Sequence, residues 1–164
     1  MDDSGRLDYF WKAHSYVSDY IRFADAKAGA VIAWSTTVGG ALIAKGFYDG
    51  SACPWHSIWR LAGLALLIAG ALSAIAAIGP RLRTSQTRGF IFWESVLGHG
   101  GKAGFTTAAK SITEGEALKH VAEHLFDLAA ICRRKYWWVN LGILLALAGS
   151  AVSGAAYLLP RFLK

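Results

Sequence analysis

Residues 28–44 form an apolar run, AGAVIAWSTTVGGALIA, that contains no charged side chain. Together with Lys45, whose long side chain can reach the lipid headgroups, the run is just long enough to cross a bilayer as a helix. Two further apolar runs follow, and each is bounded by aromatic or turn-forming residues. The pattern predicts an all-α membrane helical bundle with about three transmembrane helices, at about residues 28–46, 58–79 and 137–159.

The composition agrees with a membrane protein. Of the 164 residues, 54% are hydrophobic and only 17% are charged. In so apolar a chain, the net charge of +6 is more typical of residues flanking the spans than of a nucleic-acid surface, so no nucleic-acid binding is expected. The acidic start of the chain lacks the basic region of a signal peptide, and the length predicts a single domain over residues 1–164.

Residues 4–28 predict a long N-terminal amphipathic helix with an unusually wide aromatic face. Asp25 falls on the apolar face that begins at Leu7, where a charge requires a partner. We expect it to pair with Lys135 or Arg134, which lie at a similar membrane level. No proline separates this helix from the first span, so the two can form one rod.

The region between the second and third spans, about residues 80–136, is basic. It begins with an irregular stretch, 81–111, whose glycine cluster around Lys102 predicts a loop. Thr113 and Glu116 have the spacing of a capping box, which starts a cytoplasmic helix. That helix has a narrow apolar stripe from Leu118 to Tyr136, which predicts packing against the first helix. The third span is expected to end at Pro160.

The distribution of Lys and Arg predicts the topology. The region 80–136 carries most of these residues, whereas the turn between the first two spans carries none. The N-terminus and residues 1–27 and 80–136 are therefore expected in the cytoplasm, and the C-terminus in the periplasm.

Small residues repeat every four positions along the third span, a pattern that lets helices approach closely. This stripe predicts a surface for helix packing or for contact between copies of the chain in a homo-oligomer. It consists of Gly142, Ala146, Ser150 and Gly154. Three short spans cannot enclose a pore alone, so an oligomer is expected.

Catalytic and metal-binding patterns are weak. His120-Val-Ala-Glu-His124 matches the spacing of an inverted zincin motif, but His120 and Glu123 are expected on the exposed side of their helix and no third ligand is evident. No nucleophile–base or paired-carboxylate arrangement stands out. The sequence therefore predicts neither an enzyme nor a metal site.

Charged and aromatic residues at the membrane boundary are the candidates for ligand binding or gating. Arginines can receive a phosphate through paired hydrogen bonds, and an aromatic ring can stack on a base. Asp25 can serve either a structural pair or a ligand site, and the sequence leaves both open. The candidate residues are Arg22, Asp25, Lys27, Trp93, Arg133, Arg134, Lys135 and Tyr136.

Three short elements resemble one family. They are Ile21-Arg-Phe-Ala-Asp-Ala-Lys-Ala-Gly29 at the head of the first span, Phe92-Trp93 after the second and Lys135-Tyr136 at the head of the third. The chain resembles the transmembrane effectors of the pyrimidine cyclase (Pycsar) anti-phage systems over nearly its whole length. By this resemblance Asp25, Lys27, Trp93, Lys135 and Tyr136 occupy the motif positions.

The resemblance implies a function in abortive infection. It implies a bacterial inner-membrane protein that senses cyclic UMP or cyclic CMP, made by a partner pyrimidine nucleotide cyclase, and then disrupts the membrane so that growth stops. The lipid bilayer and further copies of the chain are the other expected partners, and no cofactor is implied. The alternative is a ligand-independent structural or assembly subunit of a membrane complex.

Overall fold

The computed structural model describes residues 3–45, 54–79, 90–91 and 93–162. These residues form five helices and no strand: α1 Asp3–Ala44, α2 Pro54–Ile78, α3 Trp93–Leu97, α4 Lys102–Ser111 and α5 Glu114–Phe162. Three of them, α1, α2 and α5, are long and apolar enough to cross a membrane. The prediction of an all-α fold with three spans is confirmed. The basic residues Arg81, Arg83 and Arg88, residues 46–53 between the first two spans and Phe92 lie outside the described residues. Residues 54–57, which were expected in the turn between these spans, belong to α2.

Helix α1 is one continuous helix of 42 residues, as the absence of an internal proline predicted. Helix α5 is longer still, with 49 residues, and joins the cytoplasmic helix to the third span. The sequence predicted those two parts separately, but no proline or glycine lies between Gly115 and Gly142 to interrupt the backbone hydrogen bonds. Helix α5 continues to Phe162, two residues beyond Pro160, because a proline near the end of a helix removes one backbone hydrogen bond without stopping the last turn.

The chain divides into two compact units, and both long helices contribute to each. The first unit contains residues 1–22 and 80–133, and the second contains residues 23–79 and 134–164. The assignment of residues 1–164 to a single domain stays a prediction.

In the second unit, glycines bring the backbones of α2 and α5 into contact. A Cβ atom on Gly70 would lie 3.0 Å from both the Gly142 oxygen and the Ala146 nitrogen. A Cβ atom on Gly149 would lie 2.9 Å from the Gly63 oxygen. Such an approach is typical of membrane helices, where packing and not a hydrophobic driving force holds the helices together.

The four predicted small residues of the third span do not share one environment. Gly142 and Ala146 are buried against α2, while Ser150 accepts a hydrogen bond from Trp34 Nε1 of α1 at 3.0 Å. A Cβ atom on Gly154 would meet nothing within 4 Å. Each four-residue step overshoots a full turn by about 40°, so the stripe drifts away from α2. Their role in an oligomer stays a prediction.

In the first unit, the stretch that was expected to be an irregular loop contains helices α3 and α4. Lys102 is the first residue of α4 and not a loop residue, which corrects the sequence interpretation. Gly100 and Gly101 have φ angles of 74° and 108°, a conformation that other residues rarely adopt, and they form the turn into α4. The glycine cluster therefore encodes a turn and a helix start.

The capping box at the start of α5 is confirmed. The Thr113 backbone N–H donates to Glu116 Oε2 at 2.9 Å, and the Glu116 backbone N–H donates to Thr113 Oγ1 at 3.3 Å. The hydrogen bond from the Thr113 backbone is the main reason that the pKa of Glu116 lies below its usual value. The predicted packing of this helix against the first one is also present, since the rings of His14 and His124 stack with centroids 5.2 Å apart.

A charged junction between the first and last spans

The candidate site is built where α1 and α5 pass each other in the second unit. On α1, Ala24 and Ala28 are completely buried and hold the helix against its neighbours. On α5, Val139 is completely buried one turn after Lys135. Because residues four positions apart share a helix face, Lys135 is turned toward the same interior as Val139.

Lys135 and Asp25 form an ion pair across the two helices. Lys135 Nζ donates to Asp25 Oδ1 at 2.5 Å, with the lysine buried and 38% of the aspartate side chain exposed. The prediction that Asp25 pairs with a base is confirmed, and Lys135 is that base. Arg134, the residue before Lys135, is exposed, because adjacent residues of a helix are rotated by about 100° about its axis.

Lys27 has a different environment. Its ammonium group lies 4.5 Å from the centroid of the Phe23 ring and 5.5 Å from that of Tyr136. Both distances are within the range of cation–π attraction. In the part of the chain that the structure describes, no carboxylate lies within 4.0 Å of Lys27 Nζ.

The junction therefore carries an excess positive charge. Asp25 neutralises the ammonium of Lys135, whereas the ammonium of Lys27 is stabilised only by ring faces among its described neighbours. An aromatic face attracts a cation more weakly than a carboxylate in low dielectric. An anion that reached Lys27 would gain a charge-assisted hydrogen bond without displacing an existing ion pair.

Of the eight candidate residues, the structure brings together Asp25, Lys27, Lys135 and Tyr136. The other four lie elsewhere or are only partly described. Arg22 is exposed, with its Nη1 3.7 Å from Asp19 Oδ1, and belongs with Arg133 to the first unit. Trp93 begins α3 in that same unit, and its side chain lies outside the described residues.

The sequence interpretation missed the role of Phe23. It treated this residue only as part of a wide aromatic face, yet 57% of its surface is exposed and its ring supports Lys27. The available signal was the four-residue spacing from Phe23 to Lys27, which places both side chains on one face of α1.

The histidines of α5 do not form a solvated metal motif. Glu123 is exposed as expected, but the expected exposure of His120 is wrong: it is half-buried, and its ring contacts that of Phe90 with centroids 5.5 Å apart. The unforeseen partner is Phe90, which lies before α3. Among the described residues, no three His, Cys, Asp or Glu side chains are grouped so that they can hold a metal ion.

The fold and this junction define a three-span helical membrane protein with an ion pair between its first and last long helices. The sequence model of the Pycsar effector protein domain matches residues 9–160. The chain is 30% identical to the Pycsar effector protein SaPycTM of Staphylococcus aureus over 135 residues, which cover 80% of this chain and 82% of that protein. It is 24% identical to the Pycsar effector protein PtPycTM of Propioniciclava tarda over 148 residues, covering 85% and 72% respectively.

No solved structure matches the chain. The family match covers more than nine-tenths of the sequence, so the chain belongs to the Pycsar transmembrane effector family and is an effector of anti-phage defence. The family resemblance inferred from the sequence motifs is confirmed.

Proposed function

We propose that this effector senses a cyclic pyrimidine mononucleotide, cyclic UMP or cyclic CMP, and responds by disrupting the bacterial inner membrane so that growth stops. A pyrimidine nucleotide cyclase supplies the ligand, and the effector binds it without converting it. The observation that carries the proposal is the ammonium of Lys27, which has aromatic neighbours but no carboxylate partner among the described residues.

The chemistry of the junction suits such a ligand. A cyclic mononucleotide has one negative charge, on its phosphodiester, and one planar base. Lys27 supplies a cation for the phosphodiester, and the exposed ring of Phe23 supplies a stacking face for the base. The ligand shifts the packing of the helices only if it binds one arrangement more tightly than another.

Such a shift can act through the ion pair beside Lys27. Lys135 is buried and depends on Asp25 for neutralisation, so any movement of α1 along α5 that separates the pair has a large energetic cost. A bound phosphodiester offers Lys135 a second negative partner and thereby lowers that cost. The junction is in this way a place where an anion can change the preferred packing of two spans.

Membrane disruption requires an oligomer, and the exposed surfaces of the spans support one. Among the three spanning helices, α1 has the lowest mean hydropathy and also the smallest buried share. A single chain in lipid would be expected to bury its least apolar helix most. Several exposed positions in the apolar part of α1 carry small or polar residues, beside the exposed Trp34 and Ile43: Gly29, Ala33, Thr36, Thr37, Gly40 and Ala41. Large aliphatic residues make up that of α2: Ile58, Leu61, Ile68, Leu72 and Ile75.

We therefore place α1 against other copies of the chain and α2 against lipid. Close packing of small residues is the usual basis of association between membrane helices. The proposed topology keeps residues 1–27 and 80–136 in the cytoplasm, where the nucleotide is made, and the C-terminus in the periplasm.

A ligand-independent assembly subunit is the second candidate. The observation in its favour is that Asp25 and Lys135 already satisfy each other, as a purely structural pair would. In that case Lys27 serves only to position α1 near the headgroups.

Dye leakage from liposomes that contain the purified protein distinguishes the two functions. Leakage is expected with cyclic UMP or cyclic CMP and not with cyclic AMP. The variant Lys27→Met should lose this response, whereas Lys12→Met, which changes an exposed lysine on the same helix, should keep it. Folded and inserted protein that leaks with none of the nucleotides would favour the assembly subunit.

A further inference from the structure

A stacked histidine pair joins α1 to α5 in the first unit, away from the charged junction. The rings of His14 and His124 are 5.2 Å apart between centroids, with 26° between their planes. Trp11 contacts His14 edge to face, with ring centroids 5.4 Å apart and 69° between the ring planes. The pair is therefore an aromatic contact between two helices that is made from titratable rings.

The environment of the pair favours neutral rings. Both histidines are half-buried, and His14 Nε2 is inaccessible to water without a hydrogen-bond partner among the described residues. Burial lowers the pKa of His14 below its usual value of 6.5. Burial lowers that of His124 too, and so does the charge of His14, while Asp127 on the same helix opposes the shift.

The direction of the pH effect follows from the lower pKa of the two histidines in the folded state than in the opened state. Well above pH 6.5 both rings are neutral in the folded and opened states, so the pair has no pH dependence there. As the pH falls toward and through 6.5, the opened state takes up protons before the folded state does, and the packing of the two helices becomes less stable. The loss continues until the histidines protonate in the folded state as well.

We propose that the His14–His124 pair is an acid-sensitive contact, which holds the N-terminal part of α1 against α5 at neutral pH and releases it in mild acid. Two imidazolium rings stacked at this distance repel each other, and Asp127 can compensate at most one of them. This proposal does not rest on the nucleotide response, since both rings belong to the first unit and the charged junction belongs to the second.

Hydrogen–deuterium exchange on the full chain in detergent micelles tests the proposal, with protection factors corrected for the intrinsic pH dependence of exchange. Peptides from residues 4–22 and 114–130 should lose protection between about pH 7 and about pH 5.5. The expected loss is up to about tenfold per pH unit for each proton taken up. Unchanged protection of the wild-type chain in this range would overturn the proposal.

Two variants locate the effect. The double variant His14→Phe/His124→Phe keeps two stacked rings that cannot protonate and should have pH-independent protection. His120→Phe, which alters the neighbouring contact with Phe90, should behave like the wild type. Loss of the pH dependence in His120→Phe, or its persistence in the double variant, would assign the acid sensitivity to other groups.

Discussion

Breaking the Asp25–Lys135 pair should destabilise the membrane unit measurably. Lys135 is buried, so Asp25→Asn leaves its charge without an ionic partner. Removing one member of a fully buried pair typically costs about 3–5 kcal/mol, but Asp25 is 38% exposed and water can partly replace it. We therefore expect a loss of about 1–3 kcal/mol in the free energy of unfolding.

A double-mutant cycle isolates the pair. Lys135→Met removes the buried charge, and the double variant Asp25→Asn/Lys135→Met should recover part of the loss, since neither charge then lacks a partner. The exposed pair of Asp8 and Lys12, with Nζ and Oδ2 2.7 Å apart on α1, is the matched control. Its cycle with Asp8→Asn and Lys12→Met should give a coupling below about 0.5 kcal/mol.

Unfolding by sodium dodecyl sulfate in mixed micelles, followed by far-ultraviolet circular dichroism, measures both cycles. Equal coupling energies for the two pairs would show that burial of Lys135 does not strengthen its pair with Asp25. The prediction would be refuted if Asp25→Asn were as stable as the wild type, because the charge of Lys135 would then be solvated despite its burial in the structure.

Two further predictions concern local packing and helix capping. Gly149→Ala should lower the free energy of unfolding by about 1–3 kcal/mol relative to Gly154→Ala in the same assay, because the new Cβ atom would meet backbone atoms of α2. Gly154 is the control because its position is open. Both variants gain the helix preference of alanine, so this contribution cancels in the comparison. Equal stability of the two variants would show that α2 and α5 do not approach as closely as described. Thr113→Val should speed hydrogen exchange in the first turn of α5 by about fivefold at neutral pH, since it removes the side-chain cap. In the wild type the capping contribution should weaken in acid as the Glu116 carboxylate, whose pKa is lowered by the hydrogen bond from the Thr113 backbone, becomes protonated. Hydrogen exchange that Thr113→Val does not change would contradict the capping role.

Local features of the sequence predicted much of the fold. The three apolar runs, the unbroken rod of α1 and the capping box before α5 depend on residues close in the chain, and all three are confirmed. The need of Asp25 for a partner was also a local inference, because a charge on an apolar face has few alternatives.

Contacts between distant residues were decided only by the tertiary structure. The sequence offered Arg134 and Lys135 as equal partners for Asp25, and the rotation of α5 about its axis selected Lys135. The same rotation turns Gly154 away from α2 and brings Gly149 against it. The half-burial of His120 depends on Phe90, thirty positions away.

The sequence by itself thus determined that the three long segments are helical and can cross a membrane, and to which family the chain belongs, because these properties follow from local composition, periodicity and motifs. The tertiary structure alone decided that Asp25 neutralises Lys135, that Lys27 also meets the ring of Tyr136, and that His14 meets His124. Each of these depends on how two helices are rotated against each other, and a difference of one residue along a helix turns a side chain by about 100°.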